Sequence, residues 1–322
     1  MHFEKTIFAA QGKWKGVLQQ LGLDASYLTG KHGPCPICKD GVDRFRFDDK
    51  EKRGTWICNT CGAGNGLDLV MKAWGYGYKE ACDRIDVIVS NTKEDPASRP
   101  AMSQDDIKAA MINIWRTSKP AAPGDLVHRY LSTRHVDELV YPSAIRFAPS
   151  VKDGEGGIRP CMIALVSPPE GGAKFVQMHR TFLKPDGSGK AEMTTPRKLM
   201  PGELPEGSAI RLSEYTGGAL GIAEGIETAL SASAMFDLPV WAAISAGNLA
   251  KWQPPEGCEE VAIFADNDRK FAGQAASYAL ARRLCSKGLH VTVHVPSLPG
   301  TDWADEWVTY RRKRTFGSEN NA

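Results

Sequence analysis

The chain has 322 residues, of which 42% are hydrophobic and 24% are charged, an ordinary globular composition. Its 40 Lys and Arg nearly balance 38 Asp and Glu, which excludes a uniformly basic surface and makes any nucleic-acid-binding surface local. It has no apolar run of about 18 residues and no signal-peptide pattern at its N-terminus, so we expect a cytoplasmic protein without a membrane partner.

The N-terminal third predicts a small domain followed by a linker. The first 30 residues predict a short amphipathic helix with a loop, because Trp14, Val17, Leu18 and Leu21 recur at helical spacing. Residues 31–90 hold paired cysteines and then a helical stretch. Residues 91–104 are polar and contain Pro, which is typical of a linker. We therefore predict a first domain over residues 1–90 and a linker over residues 91–104.

The elements beyond the linker predict an α+β lobe over residues 105–215. Residues 105–116 and 124–134 have helical patterns. Residues 160–166 and 174–183 have strand patterns, with a Gly171-Gly172 turn between them. Pro185-Asp186-Gly187 predicts another turn after the second strand.

From about residue 216 the pattern predicts an α/β domain that extends to residue 310. Predicted strands at residues 220–223, 240–244, 261–265 and 291–295 alternate with predicted helices at residues 226–236 and 273–286. That alternation predicts a mainly parallel sheet covered by helices. Residues 311–322 then form a tail whose run Arg311–Arg314 is basic, and we interpret it as solvated.

Four of the eight cysteines have metal-ligand spacing. Cys35, Cys38, Cys58 and Cys61 form the pattern C-x₂-C-x₁₉-C-x₂-C. Two tight turns of this kind can close a tetrahedral site of four thiolates, which suits structural Zn²⁺ and leaves no open position for catalysis. His32 lies just before the first pair, and a surface or outer-shell role is favoured over a ligand role. The other cysteines are expected in the core: Cys82, Cys161, Cys258 and Cys285.

Between the cysteine pairs, Arg and Phe alternate in the segment Arg44-Phe45-Arg46-Phe47. On a strand the two Arg side chains share one face and the two Phe side chains share the other. Arg with exposed aromatic rings can hold single-stranded nucleic acid, so Arg44 and Arg46 are candidate DNA contacts. In the alternative interpretation the Phe rings pack beneath the sheet and the Arg side chains are merely solvated.

This N-terminal segment resembles the zinc ribbon of phage and plasmid primases, and is similar to the zinc-binding domain of DnaG-type primases. The resemblance covers about residues 33–75 and includes both cysteine pairs, the Arg-Phe strand and Gly62-Ala63-Gly64-Asn65-Gly66. It implies a zinc ribbon that contacts a single-stranded DNA template.

Carboxylates follow two of the predicted parallel strands. Glu224 ends the strand at residues 220–223, and Asp266 and Asp268 follow the strand at residues 261–265. Parallel sheets bind ligands at the carboxyl ends of their strands. Clustered carboxylates repel one another unless a cation lies between them, and Mg²⁺ or Mn²⁺ suits such oxygen ligands. Separately, Glu224 could be a helix-start carboxylate and the two Asp residues a simple turn, and that alternative stays open on the pattern alone.

The same residues resemble the Toprim domain that DnaG-type primases share with topoisomerases and some nucleases. The resemblance covers about residues 218–310 and rests on Glu224-Gly225 and Asp266-x-Asp268. It implies that Glu224, Asp266 and Asp268 hold catalytic Mg²⁺ or Mn²⁺. Residues 299–305 resemble a later acidic motif of primases, in which Asp302 is a better candidate than Asp305. Thr301 stands where many primases have Lys, which puts a role for this position in doubt.

The lobe before the Toprim-like segment resembles the corresponding part of phage-type primases. The resemblance implies basic side chains that face the template and the triphosphate, for which the candidates are Arg180, Lys190 and Lys198. In the alternative, these are ordinary exposed basic residues. Gly187-Ser188-Gly189-Lys190-Ala191 is not a phosphate-binding P-loop, because its first Gly and its final hydroxyl are missing.

Together the resemblances imply a DNA primase, a DNA-directed RNA polymerase that joins nucleoside triphosphates into short RNA primers on single-stranded DNA. The alternatives are a Toprim nuclease and a non-catalytic zinc-ribbon replication adaptor. The absence of a P-loop implies that a replicative helicase, where one is needed, acts in trans.

Overall fold

The computed structural model describes residues 2–95, 102–136, 141–170 and 176–319, with side chains described between residues 5 and 313. The chain divides into two compact units, Met1–Ala101 and Met102–Ala322. Within the described residues, no helix has the length and apolar character needed to cross a membrane.

The first unit joins helices to a three-stranded antiparallel sheet in the order β1-β2-β3. Its elements, with two short 3₁₀ turns at Ala25–Leu28 and Lys50–Lys52, are α1 (His2–Ala10), α2 (Trp14–Gln20), β1 (Phe45–Phe47), β2 (Trp56–Cys58), β3 (Gly62–Gly64), α3 (Gly66–Trp74) and α4 (Tyr78–Val89). The first 30 residues were expected to hold one helix, and that expectation is wrong. Gly12, at a φ of +78°, separates α1 from α2, a conformation that glycine adopts at no steric cost.

Trp14 connects these N-terminal helices to the sheet. Its side chain is fully buried and lies directly against Gly54 and Gly66. A Cβ atom at Gly66 would lie 2.2 Å from the Trp14 ring, and one at Gly54 would lie 2.6 Å from it. Only glycine at these two positions therefore lets the loop before β2 and the start of α3 close on the indole, and the core of this unit is shared between the helices and the sheet.

The second unit begins with a five-stranded antiparallel sheet in the order β4-β5-β6-β7-β8. Its elements are α5 (Gln104–Thr117), β4 (Lys119–Pro120), α6 (Leu126–Ser132), β5 (Ile145–Lys152), β6 (Ile158–Val166), β7 (Gln177–Phe182) and β8 (Arg197–Leu199). The predicted helices and strands of this lobe are present with shifted ends. The predicted turn at Gly171-Gly172 lies outside the described residues.

A four-stranded parallel sheet follows, in the order β10-β9-β11-β12. Its elements are β9 (Ala219–Ala223), α7 (Ile226–Phe236), β10 (Val240–Ala242), α8 (Ala246–Leu249), β11 (Glu260–Phe264), α9 (Ala272–Cys285), β12 (His290–His294) and α10 (Trp303–Glu319). The predicted α/β class, with a parallel sheet preceded by an α+β lobe and a small N-terminal ribbon, is confirmed. Arg311 and Arg312, expected in a tail, are exposed within α10.

Candidate functional site

The four paired cysteines come together in the first unit. The sulfur atoms of Cys35, Cys38, Cys58 and Cys61 all lie within 4.8 Å of one another. The Sγ atoms of Cys35 and Cys61 are 3.9 Å apart, close to the roughly 3.8 Å edge of a tetrahedron with Zn–S bonds of about 2.3 Å. Burial and the neighbouring thiols raise the pKa of Cys61, so a fourth thiolate needs a cation beside it. These residues form a structural zinc site.

Backbone N–H groups orient the sulfur atoms of this zinc site. Ile37 N–H donates to Cys35 Sγ at 3.4 Å, and the N–H groups of Thr60 and Cys61 each donate to Cys58 Sγ at 3.4 Å. His32 is not part of the cluster, because its Nδ1 lies 3.0 Å from the carbonyl oxygen of Asp43. The expectation that His32 is not a ligand therefore agrees with its position.

The Arg-Phe strand resolves into a buried face and an outer face. Phe45 and Phe47 are buried, so their rings pack beneath the ribbon and are not available for base stacking. Arg44 donates to Thr60 Oγ1 at 2.9 Å and pairs with Asp40. Arg46 pairs with Asp48 at 3.2 Å. Both guanidinium groups remain partly exposed beside the zinc site, and their contact with DNA stays a prediction.

Among the remaining cysteines, Cys82, Cys161 and Cys258 are buried as expected. Cys285 is exposed, so its assignment to the core is wrong. It is the last residue of α9, and the apolar face of that helix is formed by other residues, including Leu280 and Leu284.

In the second unit the parallel sheet brings Glu224 and Asp266 to the same edge. β9 and β11 are neighbours, and Ala223 pairs with Phe264 at their carboxyl ends. Glu224 directly follows β9, and Asp266 comes two residues after β11 ends. Burial raises the pKa of Glu224 above its usual value. The expected acidic edge of the sheet is therefore present.

Asp266 is the carboxylate at this edge whose hydrogen-bonding capacity the described residues leave unsatisfied. Its Oδ1 is buried and has no hydrogen-bond partner among the described residues. Burial and the carboxylates of Glu224, Asp302 and Asp268 raise the pKa of Asp266 to about 7. A buried oxygen without a donor, whose pKa other carboxylates help to raise, matches the needs of a bound divalent cation. Glu224 and Asp266 therefore fit the Mg²⁺ or Mn²⁺ that the Toprim resemblance implies.

Asp268 and Asp302 already carry backbone hydrogen bonds. Asp268 Oδ2 accepts from Gly273 N–H at 2.7 Å, and its Oδ1 accepts from Lys270 N–H at 3.0 Å. Asp302 Oδ1 accepts from Ala304 N–H at 2.8 Å at the start of α10. Both residues shape the loops that flank Asp266, and each retains oxygen lone pairs for a further ligand.

One buried ion-pair network lies behind Glu224 and was not found from the sequence. Glu227, in the first turn of α7, accepts a hydrogen bond from the Tyr130 hydroxyl. Lys190 Nζ lies 3.3 Å from the Glu227 carboxylate. Burial opposes ionisation of Glu227 and would raise its pKa. The opposite effect of Lys190, Tyr130 and Arg197 is larger, and the pKa of Glu227 is lowered to about 2. Lys190 is thus held inside the lobe by an ionised partner rather than being freely solvated.

The other basic candidates of the lobe lie in different surroundings. Arg180 is only 9% exposed, and its guanidinium donates to the carbonyl oxygen of Leu199 at 2.8 Å, so its expected place on an exposed face is wrong. Lys198 Nζ donates to the carbonyl oxygen of Asp153 at 2.8 Å and pairs with Glu155.

The neighbouring Arg197, which was not chosen as a candidate, acts electrostatically on the acidic residues. It is exposed, and its positive charge partly offsets the burial that raises the pKa of Glu224 and of Asp266. Arg197 and Lys198 are successive residues of β8, so their side chains point to opposite faces of the strand. The prediction of Lys198 therefore selected the face opposite to Arg197.

Three family models match consecutive parts of the chain. Residues 30–67 match the zinc-binding domain of primase-helicase, and residues 219–311 match the Toprim domain. The chain combines a primase zinc-binding domain with a Toprim domain. That composition is the one found in DnaG-type primases, and the resemblance seen in the sequence is confirmed. Residues 105–212, between the two, match a domain of unknown function.

Solved primase structures are also similar to this chain. The zinc-binding and RNA polymerase domains of Aquifex aeolicus primase are 15% identical, with a TM-score of 0.42, and the match covers 97% of this chain and 85% of that one. The primase fragment of the bacteriophage T7 primase-helicase is 13% identical, with a TM-score of 0.39 and coverage of 89% and 98%. The RNA polymerase domain of Mycobacterium tuberculosis DnaG is 16% identical, with a TM-score of 0.39 and coverage of 63% and 79%.

Proposed function

We propose that this protein is a DNA primase, a DNA-directed RNA polymerase that makes short RNA primers on single-stranded DNA. The observation that carries the proposal is the pair Glu224 and Asp266. They follow neighbouring parallel strands of a Toprim domain, and the buried Asp266 Oδ1 has no hydrogen-bond partner in the part of the chain that the structure describes. The primase-type zinc site in the same chain favours primer synthesis over the other reactions of Toprim proteins.

In this proposal Glu224 and Asp266, assisted by Asp268, hold Mg²⁺ or Mn²⁺ at the edge of the parallel sheet. A divalent cation held there would neutralise triphosphate charge and polarise the phosphoryl group that is attacked. The 3′-oxygen of one nucleotide bonds to the α-phosphorus of the next, the bond to pyrophosphate breaks, and the hydroxyl proton passes to water. Asp302 positions the start of α10 beside Asp266, and no side chain forms a covalent intermediate.

The basic side chains have separate roles in this proposal. Arg44 and Arg46 contact phosphates of the template at the zinc ribbon. Lys190 and Lys198 contribute positive charge to the lobe, and Arg197 joins them because it acts electrostatically on Glu224 and Asp266. Arg180 supports the sheet from within rather than contacting DNA.

The proposed partners are single-stranded template DNA and nucleoside triphosphates, and the proposed location is the cytoplasm. A replicative helicase acts in trans where one is required. Primer yield should be compared between an assay that supplies only template, nucleotides and metal and the same assay with added helicase. A higher yield with helicase would show that the chain depends on one.

Primer synthesis on single-stranded DNA with labelled nucleotides and Mg²⁺ tests the function. The wild-type protein should make short RNA oligomers, and Asp266→Asn should reduce synthesis at least about 100-fold, the scale expected when a group that stabilises transition-state charge is removed. Glu260→Gln is the matched control, since Glu260 is exposed at the opposite end of β11.

A second arm separates the alternatives. Labelled DNA incubated with the protein and Mg²⁺, without nucleotides, should stay intact. Cleavage that Asp266→Asn abolishes would instead establish a nuclease. DNA binding with neither synthesis nor cleavage would establish a zinc-ribbon adaptor.

A further inference from the structure

An exposed aromatic residue stands beside the acidic edge in a strained conformation. Phe271 lies in the loop between β11 and α9, three residues after Asp268. Its side chain is 67% exposed, the most exposed aromatic side chain among the described residues of the second unit. Its φ is +60° and its ψ is 19°, a left-handed conformation that is a true outlier for a bulky residue.

The side chain of Phe271 adds little to the stability of the fold. A left-handed backbone is costly for a non-glycine residue, and an exposed ring forgoes most of the stabilisation that its burial would supply. Glycine or asparagine would fit this backbone better. Strain of this kind persists where the surrounding structure over-determines it, and it concentrates at sites that bind ligands.

The surroundings of Phe271 do fix its position. Its backbone N–H donates to the carbonyl oxygen of Asp268 at 3.0 Å. The Asp268 carboxylate accepts hydrogen bonds from the N–H groups of Lys270, Ala272 and Gly273 on both sides of it. The backbone of Phe271 is therefore held at a fixed place next to a residue of the acidic site.

A cation accompanies the ring. Arg269 is exposed in the same loop, and its guanidinium extends towards the loop that carries Asp302. A Cβ atom at Gly300 would lie 3.8 Å from Arg269 Nε. An exposed aromatic ring with a guanidinium in the same loop is the combination that holds nucleic-acid bases by stacking and their phosphates by charge.

We propose that Phe271 stacks on a nucleobase of the nucleotide or strand whose phosphate is bound at Glu224 and Asp266. This inference rests on the proposed function, since it assumes that the acidic edge binds nucleotide phosphates. The base comes either from a free nucleoside triphosphate or from a single-stranded DNA, and both present the same ring face. Arg269 contributes charge to the same ligand.

The test uses Phe271→Gly, which removes the ring and suits the backbone. Binding is measured with two separate probes, Mg²⁺-ATP without DNA and fluorescently labelled oligo(dT) without nucleotides. Loss of one base–aromatic stack, about 1–3 kcal/mol, should weaken binding of at least one probe by about 5- to 150-fold. The probe that weakens identifies the source of the base. Phe271→Trp should bind as tightly as the wild type because it keeps a stacking face.

The Tm of the variants distinguishes a stacking role of Phe271 from a role in packing the fold. Phe271→Gly should have a Tm equal to or above that of the wild type, because it relieves the strained backbone. Tyr278→Ala, which removes another exposed aromatic ring of the same unit, should change neither binding nor Tm. Unchanged affinity of Phe271→Gly for both probes, absence of wild-type binding to both, or weaker binding accompanied by a lower Tm would each overturn the proposal.

The outcome also distinguishes this inference from the proposed function. A wild-type protein that makes primers, with Phe271→Gly unchanged in binding and in KM, refutes the stacking role alone. A wild-type protein that makes no primers, with Phe271→Gly weakened in binding at unchanged Tm, refutes the primase function while supporting the stacking role.

Discussion

The Tyr130 hydroxyl donates a hydrogen bond to the Glu227 carboxylate, although the two residues are 97 positions apart in the chain. The bond joins α6 of the antiparallel lobe to the first turn of α7 in the parallel-sheet domain. Glu227 follows Glu224 by three residues, so the bond also fixes the turn that presents the candidate metal ligand. The lobe and the acidic edge are thereby coupled through one buried carboxylate.

Removing the Tyr130 hydroxyl should destabilise the second unit. Tyr130→Phe leaves the ionised Glu227 with one fewer donor, and we expect a loss of about 1–3 kcal/mol in the free energy of unfolding. Urea unfolding at neutral pH measures it. Tyr278→Phe, which removes an exposed hydroxyl, should have no effect. Equal stability of Tyr130→Phe and wild type would mean that Lys190 alone satisfies Glu227.

Acid should destabilise the protein partly through His179. Burial lowers the pKa of His179 to about 4 from its usual 6.5, and its Nδ1 has no hydrogen-bond partner among the described residues. Below pH 6.5 the His179 side chain is protonated in the unfolded chain but stays neutral in the folded chain. The free energy of unfolding therefore falls as the pH drops from 6.5 to about 4, and below that pH it no longer changes through His179. The whole effect is at most about 3 kcal/mol.

Urea midpoints measured across this pH range check the contribution of His179. His179→Gln should flatten the dependence on pH, whatever its own cost at neutral pH. His290→Gln, at an exposed position, should keep the wild-type slope. An unaltered slope in His179→Gln would show that other groups account for the acid sensitivity.

Loss of one zinc ligand should unfold the zinc ribbon selectively. Cys58→Ser breaks the four-thiolate site, and binding of structural zinc supplies folding free energy directly. We expect bound zinc, measured by atomic absorption, to fall from about one ion per chain to near none, together with faster proteolysis within the first unit. Cys285→Ser changes an exposed cysteine and should retain the metal. Full zinc content in Cys58→Ser would contradict the assigned ligand set.

Asp266→Asn should stabilise the metal-free protein while weakening its response to Mg²⁺. The substitution removes a buried charge whose Oδ1 has no donor and which other carboxylates repel, and we expect a gain of about 1 kcal/mol. Addition of MgCl₂ should raise the Tm of the wild type by mass action and that of Asp266→Asn much less. Glu260→Gln should respond like the wild type. An equal Mg²⁺ response in Asp266→Asn would remove Asp266 from the metal site.

Local patterns were sufficient to predict much of the fold and the two clusters of ligands. The helix predicted at residues 226–236 has those bounds in the structure, because its apolar periodicity and its flanking strands agree. The zinc ligands follow from spacing, and the acidic edge follows from strand ends. Each of these depends on residues close together in the chain.

Features that depend on tertiary packing were missed. In β7 the polar residues Gln177, His179 and Thr181 share one face, which suggests a solvent-facing side, and Arg180 shares the other face with Met178 and Phe182. All six residues of the strand are nevertheless buried. β7 lies between β6 and β8 and is covered on both faces. The alternation of polar and apolar residues along the strand therefore did not indicate which side chains are exposed to solvent. The contact of Tyr130 with Glu227 and the positive φ of Phe271 likewise leave no mark in a single sequence.

The position of Trp14 between Gly54 and Gly66 sets a practical limit on how this protein can be dissected. A fragment cut to the conserved zinc-binding segment, residues 30–67, would keep every metal ligand but would discard the indole that fills the space between these two glycines. Such a fragment should chelate zinc and still aggregate or stay partly unfolded. Truncations intended to isolate template recognition should therefore begin ahead of α1 and extend through α4.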